Sequence, residues 1–173
     1  MKGGGKSAAM TPLPNIFWSF IGALLGISSL HYTQFSQLAA PDINMVIGSF
    51  GASAVLVYGA IDSPLAQPRN LVGGHILSAI VGVFCYQFFV PFGMWFTGAV
   101  AVAGSIALMH ITKTLHPPGG ATALIAVIGS PQLHDIGYFY TILPVARGAL
   151  ILLIVALLVN NIPKNRSYPE FWW

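Results

Sequence analysis

Two short stretches carry the residue types best able to hold a ligand: Gly48-Ser49-Phe50-Gly51-Ala52-Ser53 and His116-Pro117-Pro118-Gly119-Gly120-Ala121-Thr122. Proline suits the first turn of a helix and disrupts helix before it, so Pro117-Pro118 predicts a helix start. Glycine admits the close approach of another backbone or of a ligand. Ser49, Ser53 and Thr122 supply hydroxyl donors. A helix start adds N–H groups without internal partners, at the positive end of the helix dipole. Two such starts facing each other would bind a small anion mostly through backbone donors. The substrate-binding set predicted in this way is Ser49, Phe50, Gly51, Ala52 and Ser53 with Pro118, Gly119, Gly120, Ala121 and Thr122. Tight packing and a proline kink account for the same residues equally simply.

Three ionisable residues are candidates for gating or anion attraction: His116, Arg69 and Arg147. Arg147 lies inside an apolar run, where it either draws anions inward or snorkels to the interface. Arg69 closes the loop Ser63-Pro64-Leu65-Ala66-Gln67-Pro68-Arg69-Asn70. That loop either caps an inner vestibule or only adds basic charge. His75, His110 and His116 can carry protons, or sit as hydrogen-bonded histidines at helix ends. Their spacings match no metal motif, and the apolar runs lack carboxylate partners, so neither a metal site nor a cofactor is expected.

The elements that position these residues follow from composition. Of 173 residues, 55% are hydrophobic and 6% charged, against roughly 25% charged in a soluble domain. Mean hydropathy is +0.76. These values exclude a soluble enzyme, a disordered chain and a nucleic-acid binder. The net charge of +3 is too small to imply a nucleic-acid partner. One cysteine, Cys85, excludes an intrachain disulfide. The class is an all-α polytopic membrane protein, with the lipid bilayer as its surroundings.

A helix needs roughly 20 apolar residues to cross a bilayer. Five segments approach that length: Ile16 to Phe35, Ile43 to Ile61, Leu71 to Val90, Phe92 to Ile111 and Tyr140 to Val159. A sixth, Gly119 to Gly129, is too short to span and reads as a half-helix. No Ala-x-Ala site follows the first run, so it reads as retained. Residues 1–15 and 161–173 form tails around one transmembrane domain, 16–160. Gly22 and Gly26 have the spacing of a close helix contact.

Counting the half-helix as reaching across gives six crossings. Lys2, Lys6, Arg69, Lys113, Lys164 and Arg166 then share one side, and the other holds Asp42 and Asp135 without Lys or Arg. The positive-inside rule puts both termini on the cytoplasmic or equivalent side.

The two halves, about 16–90 and 92–159, resemble each other. Gly51-Ala52-Ser53-Ala54-Val55-Leu56-Val57 overlays Gly120-Ala121-Thr122-Ala123-Leu124-Ile125-Ala126, and each is followed by Ser-Pro, at Ser63-Pro64 and Ser130-Pro131. Three crossings per unit invert the second unit against the first. Inverted repeats with a broken helix in each half are a transporter design, with the substrate near the midplane.

The run Leu115-His116-Pro117-Pro118-Gly119-Gly120-Ala121-Thr122-Ala123-Leu124 resembles the HPP family of integral membrane proteins, named for its His-Pro-Pro motif. Gly48 to Val55, Ser63 to Asn70 and Gly73-Gly74-His75 extend the resemblance, which covers about residues 42–130. It implies a nitrite transporter of a cyanobacterial inner membrane or plastid envelope. The family is usually described with four transmembrane helices, so five long segments and a half-helix depart from that description. From the residues alone, nitrite, nitrate, formate, chloride and bicarbonate are not distinguished, nor is a carrier from a channel. An enzyme is not expected, because no nucleophile, metal set or paired carboxylates lie within the spans. A structural subunit is a further alternative, and the oligomeric state, a homo-oligomer included, stays open.

Overall fold

The computed structural model describes residues 10–34 and 38–173. Lys2, Lys6, most of the N-terminal tail and Phe35 lie outside the described residues. The helices are α1 (Leu13–Gln34), α2 (Ala40–Ala54), α3 (Pro68–Phe89), α4 (Met94–Ile111), α5 (Pro117–Ile128), α6 (Pro131–Ile136) and α7 (Arg147–Val159). A π-helical turn, Val55–Gly59, prolongs α2, and another, Thr141–Ala146, precedes α7. No strand occurs among the described residues. Among the described residues, five helical stretches are long and apolar enough to cross a membrane. Helix α5 has 12 residues, about 18 Å of rise, which is short of a hydrocarbon core of about 30 Å. The expected five spans and half-helix are present, with ends that coincide or shift by up to three residues where they are described.

Helix α3 is central and packs most extensively on α5 and α4, while α1 packs on α7. Glycines set the α3–α5 approach. A Cβ on Gly82 would stand 2.5 Å from the Ala123 carbonyl oxygen, and one on Gly119 would stand 2.9 Å from the Gly74 carbonyl oxygen. Gly93, at φ 103°, turns α3 sharply into α4. Gly22 and Gly26 do mark a close contact, but with the ring of Tyr58, which a Cβ at either position would strike.

The relative direction of α2 and α5 follows from what touches what. Asp42, in the first turn of α2, accepts from the Ser130 backbone N–H at 2.9 Å and from the Ser130 hydroxyl, just beyond the end of α5. His116, just before α5, meets Leu65, beyond the end of α2. Helices α2 and α5 therefore run antiparallel. The matched Ser-Pro pairs also behave alike. Ser63 accepts from the Leu65 N–H at 3.2 Å and Ser130 from the Leu133 N–H at 3.3 Å, each capping a short helical turn with proline at its start.

One expectation is corrected. Gly48 to Ser53 is not a helix start, because α2 begins at Ala40, with Pro41 in its first turn and Asp42 complementing the dipole, and passes through these residues. Glycine in a helix interior costs only about 0.5–1 kcal/mol relative to alanine. Burial of Val46, Ser49, Phe50 and Ser53 along one face outweighs that cost.

The start of α1 and the segment after α7 meet on one face of the bundle. Asn165 donates to the Asn15 side-chain oxygen, and Arg166 to the carbonyls of Asn15 and Tyr58. The 161–173 segment folds back onto the helices. Tyr168 donates to the Ala66 carbonyl at 2.7 Å, and burial raises its hydroxyl pKa, so it stays a donor.

Candidate functional site

In an apolar bundle a polar side chain must find a partner or lose about 1–3 kcal/mol. Helices α2, α3 and α5 solve this jointly, by gathering five buried polar side chains: Ser49, Ser53, His75, His116 and Thr122. Ser49 and Ser53, four residues apart, share the buried face of α2. His75 comes from the second turn of α3. His116 stands just before α5 in an extended conformation (φ −140°, ψ 104°), and Thr122 lies in its second turn.

The hydroxyl of Ser53 touches both imidazoles, His75 Nε2 at 2.7 Å and His116 Nε2 at 2.9 Å. Thr122 Oγ1 reaches the other ring nitrogen, His75 Nδ1, at 2.7 Å. Ser49 Oγ lies 3.0 Å from Thr122 Oγ1 and 3.0 Å from the Pro118 carbonyl oxygen. His116 Nδ1 donates to the Leu65 carbonyl at 2.8 Å. The Phe50 ring covers His75 at 4.7 Å between centroids, and the two imidazoles stand 5.0 Å apart.

The surrounding elements hold this geometry. Asn70 donates to the Leu115 carbonyl at 2.9 Å, and Arg69 to the Thr112 carbonyl, tying the approach to α5 onto the first turn of α3. The turn that presents the Leu65 carbonyl is braced by Gln67, which donates to the Ile61 and Ser63 carbonyls, and by Tyr168. Tyr140 donates to the Thr122 carbonyl at 3.1 Å. The contact of Gly74 and Gly119 lets His116 approach α3, since a Cβ on Gly74 would stand 2.5 Å from the His116 Cβ.

Of the predicted set, Ser49, Phe50, Ser53, Pro118, Gly119, Thr122 and His116 are brought together and buried. Gly51, Ala52, Gly120 and Ala121 are not. A Cβ on Gly51 would meet nothing within 4 Å, one on Gly120 would meet only Val102, and Ala52 and Ala121 are exposed. Helical periodicity is the reason, because these residues stand two and one before Ser53 and two and one before Thr122, about 200° and 100° around the helix from those hydroxyls. The expected pair of opposed N-termini is likewise replaced. One helix start, that of α5, lies against the side of α2. Arg69 is held at Thr112, and Arg147 donates to the Thr33 carbonyl at 2.8 Å, so neither guanidinium joins the cluster. Arg69 instead lines an exposed cavity with Lys113, Phe171 and Trp173.

The residue that sequence reasoning left out of the site is His75. The available signals were the Gly73-Gly74-His75 run and the rule that a polar ring within an apolar span needs partners.

The chain matches the HPP transmembrane region over residues 8–169. It is similar to two transmembrane proteins of Dictyostelium discoideum, at 46% identity over 174 residues and 43% over 173, covering 99% of this chain in each case. It spans 56% and 60% of the lengths of those relatives. No solved structure matches it.

Proposed function

The chain belongs to the HPP family of transmembrane proteins, and on that premise we propose that it moves a small monovalent inorganic anion, nitrite in particular, across the membrane. The observation that carries this reading is the buried cluster at the first turns of α5. A half-length helix starts beside the middle of a full-length one, and hydroxyls and imidazoles surround the start. Unwound or half-length helices within antiparallel repeats are where transporters bind small solutes. The donors here are neutral and carry no fixed guanidinium fork of the kind that selects carboxylates by shape. Size and ease of dehydration then rank the ligands, which favours a monovalent oxyanion over sulfate or phosphate. The resemblance to HPP proteins supplies nitrite among the small anions. No enzymatic role is proposed. The clustering of Arg69, Lys113 and Arg166 toward one face would put both termini on the cytoplasmic or equivalent side.

The test is uptake of labelled nitrite into vesicles containing only this protein, corrected for protein-free vesicles. Uptake is expected above that background, with partial inhibition by excess nitrate or formate and little by sulfate. Uptake no faster than in protein-free vesicles would overturn the reading. Strong inhibition by sulfate alone would replace the neutral site with one built from charged side chains.

A further inference from the structure

The hydrogen-bond polarity of the cluster is fixed at one end. A carbonyl only accepts, so His116 carries its proton on Nδ1, toward Leu65. When His116 is neutral, its Nε2 accepts, and the Ser53 hydroxyl donates to it at 2.9 Å in preference to the Ser49 carbonyl at 3.4 Å. Ser53 Oγ then accepts from His75 Nε2. A neutral His75 with its proton on Nε2 accepts at Nδ1, from the Thr122 hydroxyl. At the far end the single Ser49 proton faces two acceptors at equal distance, Thr122 Oγ1 and the Pro118 carbonyl, both at 3.0 Å. Six contacts of 3.0 Å or less are thus served by five protons.

One added proton completes the set. With both nitrogens of His75 protonated, Nδ1 donates to Thr122 Oγ1. The Thr122 hydroxyl turns to Ser49 Oγ, and the Ser49 hydroxyl turns to the Pro118 carbonyl. No covalent bond changes except the new N–H. Passing the His75 Nε2 proton to Ser53, and the Ser53 proton to His116, moves the charge to His116 with every contact still made. The same proton reverses the Thr122 hydroxyl and fixes the Ser49 hydroxyl, which in the neutral cluster faces two equal acceptors, on the Pro118 carbonyl. The Thr122 hydroxyl points toward His75 in the neutral cluster and away from it in the charged one.

We propose that the His75–Ser53–His116 relay takes up one proton together with each anion, so that the site is loaded as an electroneutral pair. This rests on the anion-transport reading above. The charge needs a partner, because no carboxylate contacts the relay among the described residues. The titratable and charged groups on the packed elements are otherwise engaged. Asp42 on α2 is held at Ser130, Arg69 on α3 at Thr112, Tyr140 at the Thr122 carbonyl, and Tyr58, beyond α2, at the Leu152 carbonyl. On α4 the titratable group is His110, which is exposed, and Met109 accepts from Ser78 of α3. A bare imidazolium in such a site is costly, and a bound monovalent anion neutralises it.

The experiment uses the full chain in phospholipid vesicles loaded with a pH-reporting dye, with membrane potential set by potassium and valinomycin. Initial rates are corrected for protein-free vesicles, which accounts for diffusion of neutral nitrous acid. Protein-dependent nitrite uptake is expected to acidify the interior one proton per anion and to ignore the imposed potential. Uptake that follows an inside-positive potential without acidification would overturn the coupling while leaving the transport reading standing. Absence of protein-dependent uptake would overturn both. As a second measurement that needs no variant, nitrogen NMR of histidine-labelled protein in bilayers is expected to show one imidazole become doubly protonated when nitrite is added. An unchanged histidine spectrum in protein that transports nitrite would overturn the relay. His75→Gln keeps polar atoms near Ser53 and Thr122 but cannot hold the proton, so coupled acidification is expected to disappear. Acidification at the unaltered stoichiometry in this variant would also overturn it.

Discussion

Helices α2 and α5 carry the same Gly-Ala-hydroxyl signature, at Gly51-Ala52-Ser53 and Gly120-Ala121-Thr122, yet the bundle treats them differently. Helix α2 starts at Ala40 and crosses in full, while α5 starts at Pro117 and ends after 12 residues. What the two share is the third residue of the signature. Ser53 and Thr122 hold the two nitrogens of one imidazole, His75, each at 2.7 Å. The first two residues of the signature, in both helices, face away from the cluster or into open space. Equivalent positions thus converge on a shared ring, and the glycines that matter for closeness are others: Gly74, Gly82 and Gly119.

That contrast predicts opposite outcomes for glycines that look alike in sequence. Gly119→Val places a branched side chain where even a Cβ would stand 2.7 Å from Ser78 Oγ and 2.9 Å from the Gly74 carbonyl oxygen. Overpacking of this kind costs about 1–3 kcal/mol or more. Thermal unfolding in detergent should show a large loss, with nitrite uptake abolished. Gly51→Ala meets nothing and should leave stability equal or higher by up to about 1 kcal/mol. Gly51→Leu, at a residue that the sequence places in the substrate-binding set, should retain uptake. A ranking in which Gly51 is the more sensitive position would break the comparison.

The next effect in size concerns the shared residue. Ser53→Ala leaves the facing nitrogens of both imidazoles without their partner, which costs about 1–3 kcal/mol per unsatisfied group. Uptake should fall to the level of protein-free vesicles, with a lowered unfolding temperature. In α5 the hydroxyl is the part that counts, so Thr122→Ser should keep most of the uptake and Thr122→Val should lose it. Equal behaviour of Thr122→Ser and Thr122→Val would remove the hydroxyl from the argument and sharpen the distinction between the two helices.

Much of this architecture is legible from the chain because the bilayer imposes a length. Runs of about 20 apolar residues can hardly be anything but spans, and Pro117-Pro118 announces the start of α5 by a steric rule. The caps at Ser63 and Ser130 follow from local chemistry as well. Other features depend on the assembled bundle. The path of α2 through Gly48 to Ser53 is decided by burial of its Phe50 face, which overrides a modest glycine penalty. His75 is marked locally only by the Gly73-Gly74-His75 run, and its partners stand 22 and 47 residues away in sequence. Arg147 looked equally suited to drawing anions and to snorkelling, and its partner at Thr33 is a tertiary fact.

Arg147 gives the smallest expected effect. Its guanidinium donates to the carbonyl of Thr33 in the last turn of α1, where the helix presents unpaired carbonyls and the negative end of its dipole. A cation there is worth about 0.3–1 kcal/mol at a partly exposed site. Arg147→Gln keeps a donor of shorter reach and removes the charge. The unfolding temperature should therefore drop slightly. The half-saturation concentration for nitrite should stay within about twofold, because the lost field acts on α1 and is screened by salt over about 10 Å. Arg147→Lys should recover most of the stability, since it restores the charge without the planar fork. The informative measurement is the concentration dependence of uptake at low and high salt. A several-fold rise in half-saturation for Arg147→Gln, largest at low salt, would show that this arginine steers anions. It would move part of the selectivity from the buried cluster to the end of the bundle that carries Arg147.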